Sequence, residues 1–394
     1  MDAFFVEVER LSDPSLRGVP VAVGGAGNRG VVASASYEAR RQGVRSAMPM
    51  AHARRQCPDL RVVPPDQRAY GRVSVQVFEI IRSFTPVVES ISVDEAFFDI
   101  GGLRLHYDTP AAIADAMRSA IREQIGLPSS VGIATVKLLA KLASQEAKPD
   151  GVLVVSAGAE IEYLHPKPVR ALWGVGEATH ARLEQLGVRT IGDLAILPED
   201  TLTKRVGPSL GAHLSALARG EDRREVETGG GAKSISIEQT YETDLVGRAP
   251  MERELLRITD RLALRLRRAK MFAHTVTLKV RFEDFSTISR SHTARTPIGT
   301  ANDLYAISLA LLDRAGVGHR PVRLLGVGGA GLEDAEAPRQ LELAGSGWED
   351  LEGAVEEVRL RFGDESVARA GLVRAPEVSP RDPVTESGEG TASP

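Results

Sequence analysis

The sequence predicts an α+β protein of several domains, and three observations support this fold class. A chain of 394 residues, 42% of them apolar, can bury several hydrophobic cores, and its length predicts two to four domains. The stretch RGEDRREVETGGGAKS at 219–234 is charged and then rich in glycine, as is typical of a flexible linker between domains. Segments with helical spacing and β-prone runs occur on both sides of that linker.

Composition excludes several classes of protein. No apolar run approaches the length of a membrane span, and the N-terminus has neither a basic leader nor a cleavage site, so we expect a cytoplasmic protein without membrane contact. The single cysteine, Cys57, excludes an internal disulfide and is expected to be a buried apolar side chain. The eight histidines show no paired spacing that would indicate zinc. The last twenty residues lack periodicity and are expected to be disordered.

The net charge of −4 argues at first against a nucleic-acid partner, but it conceals an asymmetry. Eleven Lys/Arg and four Asp/Glu lie between Arg253 and Arg295, and helical spacing places several of these arginines in one stripe. On the next strand, Arg290 and His292 recur among Ser and Thr, which suits phosphate contacts about as well as a solvated face. The acidic segment 333–365 is interpreted as a solvated helix face.

The segment ASASYEARRQGVRSAMPM predicts a short helix that Gly43 ends, with Tyr37 on the same face as Arg40 and Arg41. Arginine grips phosphate bidentately while an aromatic ring packs on sugar or base, so this face could hold a nucleotide. Because Tyr and Arg are common on surface helices, a plain solvated helix remains an alternative.

The segment SISVDEAFFD places two carboxylates, Asp94 and Glu95, side by side between β-prone runs. On a regular strand these side chains would point to opposite faces, and side by side they repel. Only a bend or a highly charged cation makes both carboxylates useful at once.

The segment GIATVKLLAKLASQEAKPDG predicts a helix with Lys137, Lys141, Ser144 and Lys148 in a narrow stripe. Lysines four residues apart repel, so an anionic partner would relieve a small cost. The alternative is that Lys148 only complements the helix C-terminus before Pro149.

Further along, Gly174 and Gly176 join two short amphipathic segments, as in a helix-hairpin-helix whose backbone N–H groups approach a phosphate. A plain αα-hairpin is the alternative there. DNA binding is favoured on position and spacing together.

Seven segments of the chain, taken in order, resemble the Y-family translesion DNA polymerases of the bacterial DNA polymerase IV type. These segments are MDAFF, LRGVPVAVGG, SYEARRQGVRSAMPM, SVDEAFFD, KLLAKLASQEAKPDG, the GVG turn and AKSISIEQTYETDL. The resemblance runs from residue 1 to about residue 374. It implies a right-hand fold: palm 1–2 and 66–157, fingers 3–65, helix-hairpin-helix thumb 158–218, linker 219–232, little finger 233–374 and disordered tail 375–394.

The resemblance also implies the roles of the site residues. Asp94 and Glu95 would lie at the tip of a palm hairpin and ligate two Mg²⁺ ions, with the Met1 carbonyl as a further ligand. Phe5 would be the steric gate that excludes a ribose 2′-hydroxyl. The triphosphate would be bound by Tyr37, Arg40 and Lys148.

DNA contacts are implied for Gly174, Gly176, Lys233, Ser234, Arg290, His292 and the basic stretch after Arg253. The implied partners are primer–template DNA and deoxynucleoside triphosphates, and the protein is expected to be a monomer. A sliding-clamp peptide would use Gln340, Leu341 and Leu343, but Ala344 replaces the usual aromatic end, so we expect only weak clamp binding there.

The start of the chain departs from the family's pattern. Relatives begin with a hydrophobic strand ending in Asp, then Met or Phe, then a second, mainly structural Asp, which Asp2 matches; this chain opens on the middle residue, Met1. We expect a late start codon rather than a degenerate polymerase, and little primer extension by these 394 residues until a strand ending in Asp precedes them. A lesser departure is Val136, where many relatives have Asn.

Two classes of function therefore stand. The first is a translesion DNA polymerase, which the acidic pair, the gate and the triphosphate residues favour. The second is a catalytically impaired, polymerase-like DNA-binding scaffold in damage tolerance. A nucleotide cyclase with a related palm is disfavoured by the helix-hairpin-helix and by the tethered basic domain.

Overall fold

The computed structural model describes residues 1–335, 347–363 and 366–372. It divides into two compact units, unit 1 (Met1–Gly231) and unit 2 (Ala232–Pro394). The predicted clamp residues Gln340, Leu341 and Leu343 and the predicted tail 375–394 lie outside the described residues.

Unit 1 contains eleven α-helices and seven short strands, besides short 3₁₀ turns. The helices are α1 (Phe4–Ser12), α2 (Tyr37–Arg41), α3 (Met50–Gln56), α4 (Gln67–Phe84), α5 (Pro110–Ile125), α6 (Lys137–Glu146), α7 (Glu160–Leu164), α8 (Glu177–Glu184), α9 (Ile191–Ile196), α10 (Glu199–Val206) and α11 (Pro208–Ala218). The strands are β1 (Val21–Gly24), β2 (Val32–Ala35), β3 (Arg61–Val63), β4 (Val88–Ser90), β5 (Ala96–Phe98), β6 (Val131–Ile133) and β7 (Val152–Val154). They form a sheet of order β2-β1-β3, an antiparallel β4–β5 hairpin and a parallel β6–β7 pair.

Three hydrophobic cores hold unit 1 together. The first joins Phe4 and Val6 of α1 to Val77 of α4 and Met117 of α5. The second lies under α2, α3 and β1, and Cys57 is buried there, which confirms its prediction as an apolar side chain. The third packs α6 against α8 to α11. The first core contains residues both of the predicted fingers (3–65) and of the predicted palm (66–157). The two predicted regions therefore share one hydrophobic core and are not separated by a break in packing.

Unit 2 is an antiparallel sheet covered on one face by helices. Its strands are β8 (Ser234–Leu245), β9 (Met271–Phe282), β10 (Thr287–Ile298) and β11 (Val322–Asp334), in the order β10-β9-β11-β8. Its helices are α12 (Arg248–Arg268), α13 (Ala301–Ala315) and α14 (Trp348–Phe362). Val276, Leu278 and Val280 of β9 pack on α12 and α13 in one core, so the intervening residues of β9 point to the opposite, open face. The two units confirm the prediction of a multidomain α+β fold.

One segment differs from its prediction as a flexible linker. Within 219–232, the Asp222 side chain is buried and accepts a hydrogen bond from the Leu138 backbone N–H at 2.9 Å. The Glu227 N–H donates to Glu89 at 2.7 Å. Residues 222–227 are therefore attached to unit 1, because their polar groups find partners there that composition alone does not reveal.

In the described part of the chain, every helix is too short or too polar to cross a bilayer.

Candidate active site

The acidic pair lies where the β4–β5 hairpin turns. The N–H groups of Ile91 and Ser92 both donate to the Glu95 carbonyl, which closes the turn and places Asp94 at its end. The Ser92 hydroxyl donates to Asp94 Oδ1 at 2.7 Å, and the Met1 nitrogen donates to the Asp94 carbonyl at 2.6 Å. A bend, one of the two possibilities that the sequence left open, therefore lies at the acidic pair, and both carboxylates line one cavity.

Glu95 has a partner that the sequence did not identify. Lys141 of α6 lies with its Nζ 2.6 Å from Glu95 Oε1. Burial would raise the pKa of Glu95, but the hydrogen bond and charge of Lys141 outweigh burial and hold this pKa below its ordinary value. Glu95 is therefore ionised at neutral pH. The lysine stripe along α6 was the available signal, but it did not say which lysine faces the hairpin.

The three predicted triphosphate residues meet around one carboxylate, that of Asp2. The Tyr37 hydroxyl donates to it, Arg40 Nη1 lies 2.7 Å from Oδ2, and Lys148 Nζ lies 3.8 Å from Oδ1. Burial would raise the pKa of Asp2, but hydrogen bonds from Arg40 and Tyr37 lower it. Burial and the bond to Asp2 both raise the pKa of Tyr37, so its hydroxyl stays protonated. Asp2 thus organises a cluster that carries two positive charges against one negative charge.

A cavity of about 110 Å³ adjoins the hairpin. Its charged lining comes from Asp94, Glu95, Lys141 and Lys148, and Met1 lies at its wall. Carboxylate oxygens are the ligands that Mg²⁺ prefers, so the pair fits a divalent ion in donor chemistry. Across residues 1–335, 347–363 and 366–372, however, His, Cys, Asp and Glu nowhere form a group of three that could hold a metal. The remaining ligands of an ion at the hairpin would be oxygens of the substrate or of other groups.

Phe5, the predicted gate, lies in the first turn of α1 and is half-buried. Its ring stacks on Tyr70 with centroids 4.3 Å apart and planes 14° apart. The Tyr70 hydroxyl donates to Glu9 Oε1 at 2.5 Å, which fixes the ring that supports Phe5. Tyr70 is 65 positions away in the chain, and no local pattern pointed to it.

The predicted helix-hairpin-helix differs in its first segment. Val169–Ala171 is a single 3₁₀ turn, whereas α8 after the glycines is a helix with Leu183 buried. Gly174 has φ +99°, which favours glycine, and Gly176 is the N-cap of α8. No side chain among the described residues caps α8, so its first N–H groups remain available to an anion.

The open face of the unit 2 sheet is lined by small and hydroxyl residues. A shallow groove runs over Ser234, Ser236, Glu238, Thr277, Lys279, Ser289, Gly326 and Gly328, and within it Lys279 Nζ lies 2.8 Å from Glu238 Oε2. Lys233 is exposed directly before β8, at the same end as Ser234. Serine and threonine hydroxyls and backbone groups thus share a face that can contact a phosphate chain, while the charge of Lys279 is balanced there by Glu238.

Arg290 and His292 lie on the other face, contrary to the expectation that arginines and hydroxyls share one. Arg290 is paired with Leu278 and His292 with Val276, and paired residues point to the same side of a sheet. Both belong to the helix-covered side, on edge strand β10, and Arg290 Nε lies 3.4 Å from the Arg314 carbonyl. Successive side chains of β10 point to opposite faces of the sheet, so its Ser and Thr residues that pair with β9 lie on the open face and Arg290 and His292 on the helix-covered face.

The basic stripe of α12 is also placed differently from its prediction. The buried leucines of α12 share the core with Val276 and Leu278, so this helix lies opposite the open face. Arg267 and Arg268 in its last turn pair with Glu356 of α14 at 2.9 and 3.1 Å. The acidic segment is therefore partly a counter-charge for the basic one, rather than only a solvated face.

Three family models match the chain. The impB/mucB/samB family matches residues 1–145, and its C-terminal domain matches residues 232–343. The thumb domain described for DNA polymerase-iota matches residues 170–222.

Curated relatives and solved structures agree with these models. DNA polymerase IV 2 of Mesorhizobium japonicum is 41% identical over 378 residues, covering 95% of this chain and 88% of the relative. DNA polymerase IV of Desulfatibacillum aliphaticivorans is 40% identical over 387 residues, covering 95% of each. A Y-family polymerase chimera, Dbh-Dpo4(243-245)-Dbh, superposes with a TM-score of 0.74 at 24% identity, covering 84% of this chain and 97% of the chimera.

Proposed function

Since the chain belongs to the impB/mucB/samB family of Y-family DNA polymerases, of the DNA polymerase IV type, we propose that the hairpin acids and the Asp2 cluster form its nucleotidyl-transfer site. The reaction is template-directed DNA synthesis, including synthesis across damaged templates. The observation that carries the assignment is the convergence of Tyr37, Arg40 and Lys148, with the acidic pair and Lys148 lining one cavity.

Members of this family use divalent metal ions, and we propose Mg²⁺ as the ion and two as the number. Asp94 and Glu95 would hold the metal, with the Met1 carbonyl as a further candidate ligand. The chemistry that two bound Mg²⁺ ions supply is activation of the attacking oxygen and stabilisation of the leaving pyrophosphate. Lys141 contacts Glu95 Oε1, so an ion held by Glu95 would bind Oε2 or share Oε1 with this lysine.

The chain's own residues supply the rest of the site. Arg40 and Lys148 bind the triphosphate through their charges, while Tyr37, whose hydroxyl donates its single proton to Asp2, holds that carboxylate beside them. Phosphoryl-type transfer depends mainly on such positioning and charge stabilisation. Primer–template DNA and deoxynucleoside triphosphates are the proposed partners, and the cytoplasm is the proposed compartment.

Replacing Arg40 by Ala is expected to weaken nucleotide binding by about 10- to 100-fold, because a charge-assisted hydrogen bond is lost. Arg41→Ala is the matched control, since Arg41 lies next to it on α2, is exposed and carries the same charge. Calorimetric titration with a deoxynucleoside triphosphate and Mg²⁺ measures both variants. Equal losses in the two would contradict a specific triphosphate contact.

Replacing Phe5 by Ala is expected to reduce the preference for deoxy- over ribonucleotides by about 10²-fold, because the ring that meets a 2′-hydroxyl is removed. The measurement is the ratio of insertion efficiencies, or of nucleotide affinities. Tyr70→Phe removes the hydroxyl bond to Glu9 but keeps the stacked ring beneath Phe5, so it should change the ratio far less than Phe5→Ala. A ratio insensitive to Phe5→Ala would remove the gate from the proposal.

Binding of primer–template DNA is expected to be largely independent of sequence and to fall steeply with salt, because it rests on phosphate contacts. Lys233→Ala should reduce the slope of log affinity against log salt by about one. Arg290→Ala, on the helix-covered side, should leave that slope unchanged. A strong preference for one sequence at fixed salt, or equal losses in both variants, would contradict the open face as the DNA-binding surface.

A further inference from the structure

Helix α6 begins without a capping side chain of its own. Its N-cap residue is Val136, which within residues 1–335 makes no side-chain bond to the helix, although Asn is among the preferred residues at that position. The Leu138 N–H, at the second helical position, instead donates to Asp222 Oδ2 at 2.9 Å from 84 residues away. It is one of the two N–H groups, those of the second and third helical residues, from which an N-cap side chain ordinarily accepts a hydrogen bond.

Asp222 is held in place for this contact. Its carboxylate is almost fully buried and receives two hydrogen bonds of 2.7 Å from Arg224. Burial would raise the pKa of Asp222, but Arg224 and the Leu138 N–H lower it. The guanidinium of Arg224 in turn lies 5.2 Å from the centre of the Trp173 ring.

A second attachment lies at Lys137, the first residue of α6. Lys137 Nζ contacts Glu89 Oε2 and also donates to the Glu225 carbonyl at 2.9 Å. The same Glu89 oxygen accepts from the Glu227 N–H at 2.7 Å. We call residues 222–227, which make these contacts, the strap.

The strap bridges the two elements that meet in the active site. Glu89 lies on β4 of the hairpin that presents Asp94 and Glu95. Lys137 begins α6, and one turn later Lys141 of the same helix contacts Glu95. Shifts of α6 relative to the hairpin therefore change the Glu95–Lys141 contact directly.

We propose that the strap positions α6 in the active site, with Asp222 acting as the N-cap of that helix from a distant part of the chain. Asp222 is thus a positioning residue that acts through Lys141, and the segment leading into unit 2 becomes part of the site's support. The expected effect of Asp222 on nucleotide affinity rests on the proposed function, whereas the hydrogen bond that caps α6 does not.

The test compares Asp222→Ala with the double variant Asp222→Ala/Val136→Asn, which supplies a local cap. Hydrogen exchange should become about tenfold faster in 137–141 and in 223–229 for Asp222→Ala, and nucleotide affinity should fall about five- to tenfold. The double variant should restore slow exchange in 137–141 and nucleotide affinity, while 223–229 stays fast. A role limited to local stability of the strap would not show this selective rescue.

Two further variants keep the test decisive. Asp222→Asn retains an acceptor for Leu138 and should keep slow exchange in 137–141, which guards against a poorly folded alanine variant. Arg223→Ala, an exposed neighbour, should change neither readout. Unchanged exchange of 137–141 in Asp222→Ala, or no rescue by Val136→Asn, would overturn the proposal. Restored exchange without any nucleotide binding, even in the unsubstituted chain, would instead count against the proposed function and leave the cap standing.

Discussion

Replacing Glu95 by Gln is expected to reduce nucleotide insertion by about 10³-fold or more, while primer–template binding stays nearly unchanged. Glutamine preserves the size of the side chain and removes only its charge. Because Lys141 keeps Glu95 ionised at neutral pH, the charge lost is a full one. Lys141 would then face the cavity without its anion. The substitution therefore disfavours cation binding in two ways, by removing a negative charge and by leaving the positive charge of Lys141 unbalanced.

The measurement is single-turnover insertion on a primer–template with saturating DNA, made with and without the substitution in a chain in which a strand ending in Asp precedes Met1, because little extension is expected from these 394 residues alone. Glu123→Gln on α5 is the control, since Glu123 is exposed and its replacement changes the net charge equally. A Glu95→Gln variant within about tenfold of the unsubstituted rate would contradict the assignment, since removing a transition-state charge contact costs more than that.

The same assay tests the expectation that Asp94 and Glu95 alone are too few carboxylates to hold the metal ions for nucleotide insertion. The described residues bring Asp94 and Glu95, but no third metal-binding side chain, to the hairpin. Adding a strand that ends in Asp before Met1 should supply the third carboxylate and raise insertion strongly, in a Mg²⁺-dependent way that Glu95→Ala abolishes. If the supplemented chain binds primer–template yet inserts nothing, the scaffold function replaces the polymerase.

The sequence predicted the parts of the site that depend on local pattern. Adjacent carboxylates between β-prone runs indicated a bend or a highly charged cation, and the structure has a bend at this point. It could not predict the partners of these groups, because Lys141 meets Glu95 and Asp222 meets Leu138 only after folding, the latter across 84 positions. Val136 was noted as a departure, yet its consequence is visible only once Asp222 lies at the start of α6.

The open face of unit 2 shows another limit of what sequence alternation can predict. Alternation along β10 separated its residues into two sets, but it did not say which set the helices cover. The sequence groups Arg290 and His292 with the Ser and Thr residues among which they recur, and this predicts a shared phosphate-facing or solvated side. The pairing with Leu278 and Val276 places them on the covered side, at an edge where long polar side chains still reach solvent.

Replacing Gly132 by Ala is expected to destabilise unit 1 by about 3 kcal/mol, at the upper end of what overpacking costs. A Cβ at this position of β6 would lie 2.2 Å from both the Ala140 carbonyl oxygen and the Ser144 nitrogen of α6. Those atoms are backbone, so no side-chain rotation relieves the clash and the helix itself must move. Moving α6 also disturbs its buried leucines and carries Lys141 away from Glu95.

Thermal unfolding of the full chain measures the effect, as a fall of about 6–12 °C in the midpoint of the transition that reports unit 1. Gly71→Ala in α4 is the matched control, because a Cβ there meets open space within a helix. It should be neutral or stabilise by about 0.5–1 kcal/mol, since alanine favours the helix over glycine. Nucleotide affinity should fall in Gly132→Ala and not in Gly71→Ala, because only the first moves α6. An unshifted midpoint for Gly132→Ala would mean that β6 and α6 are not in the close backbone contact on which the placement of Lys141 depends.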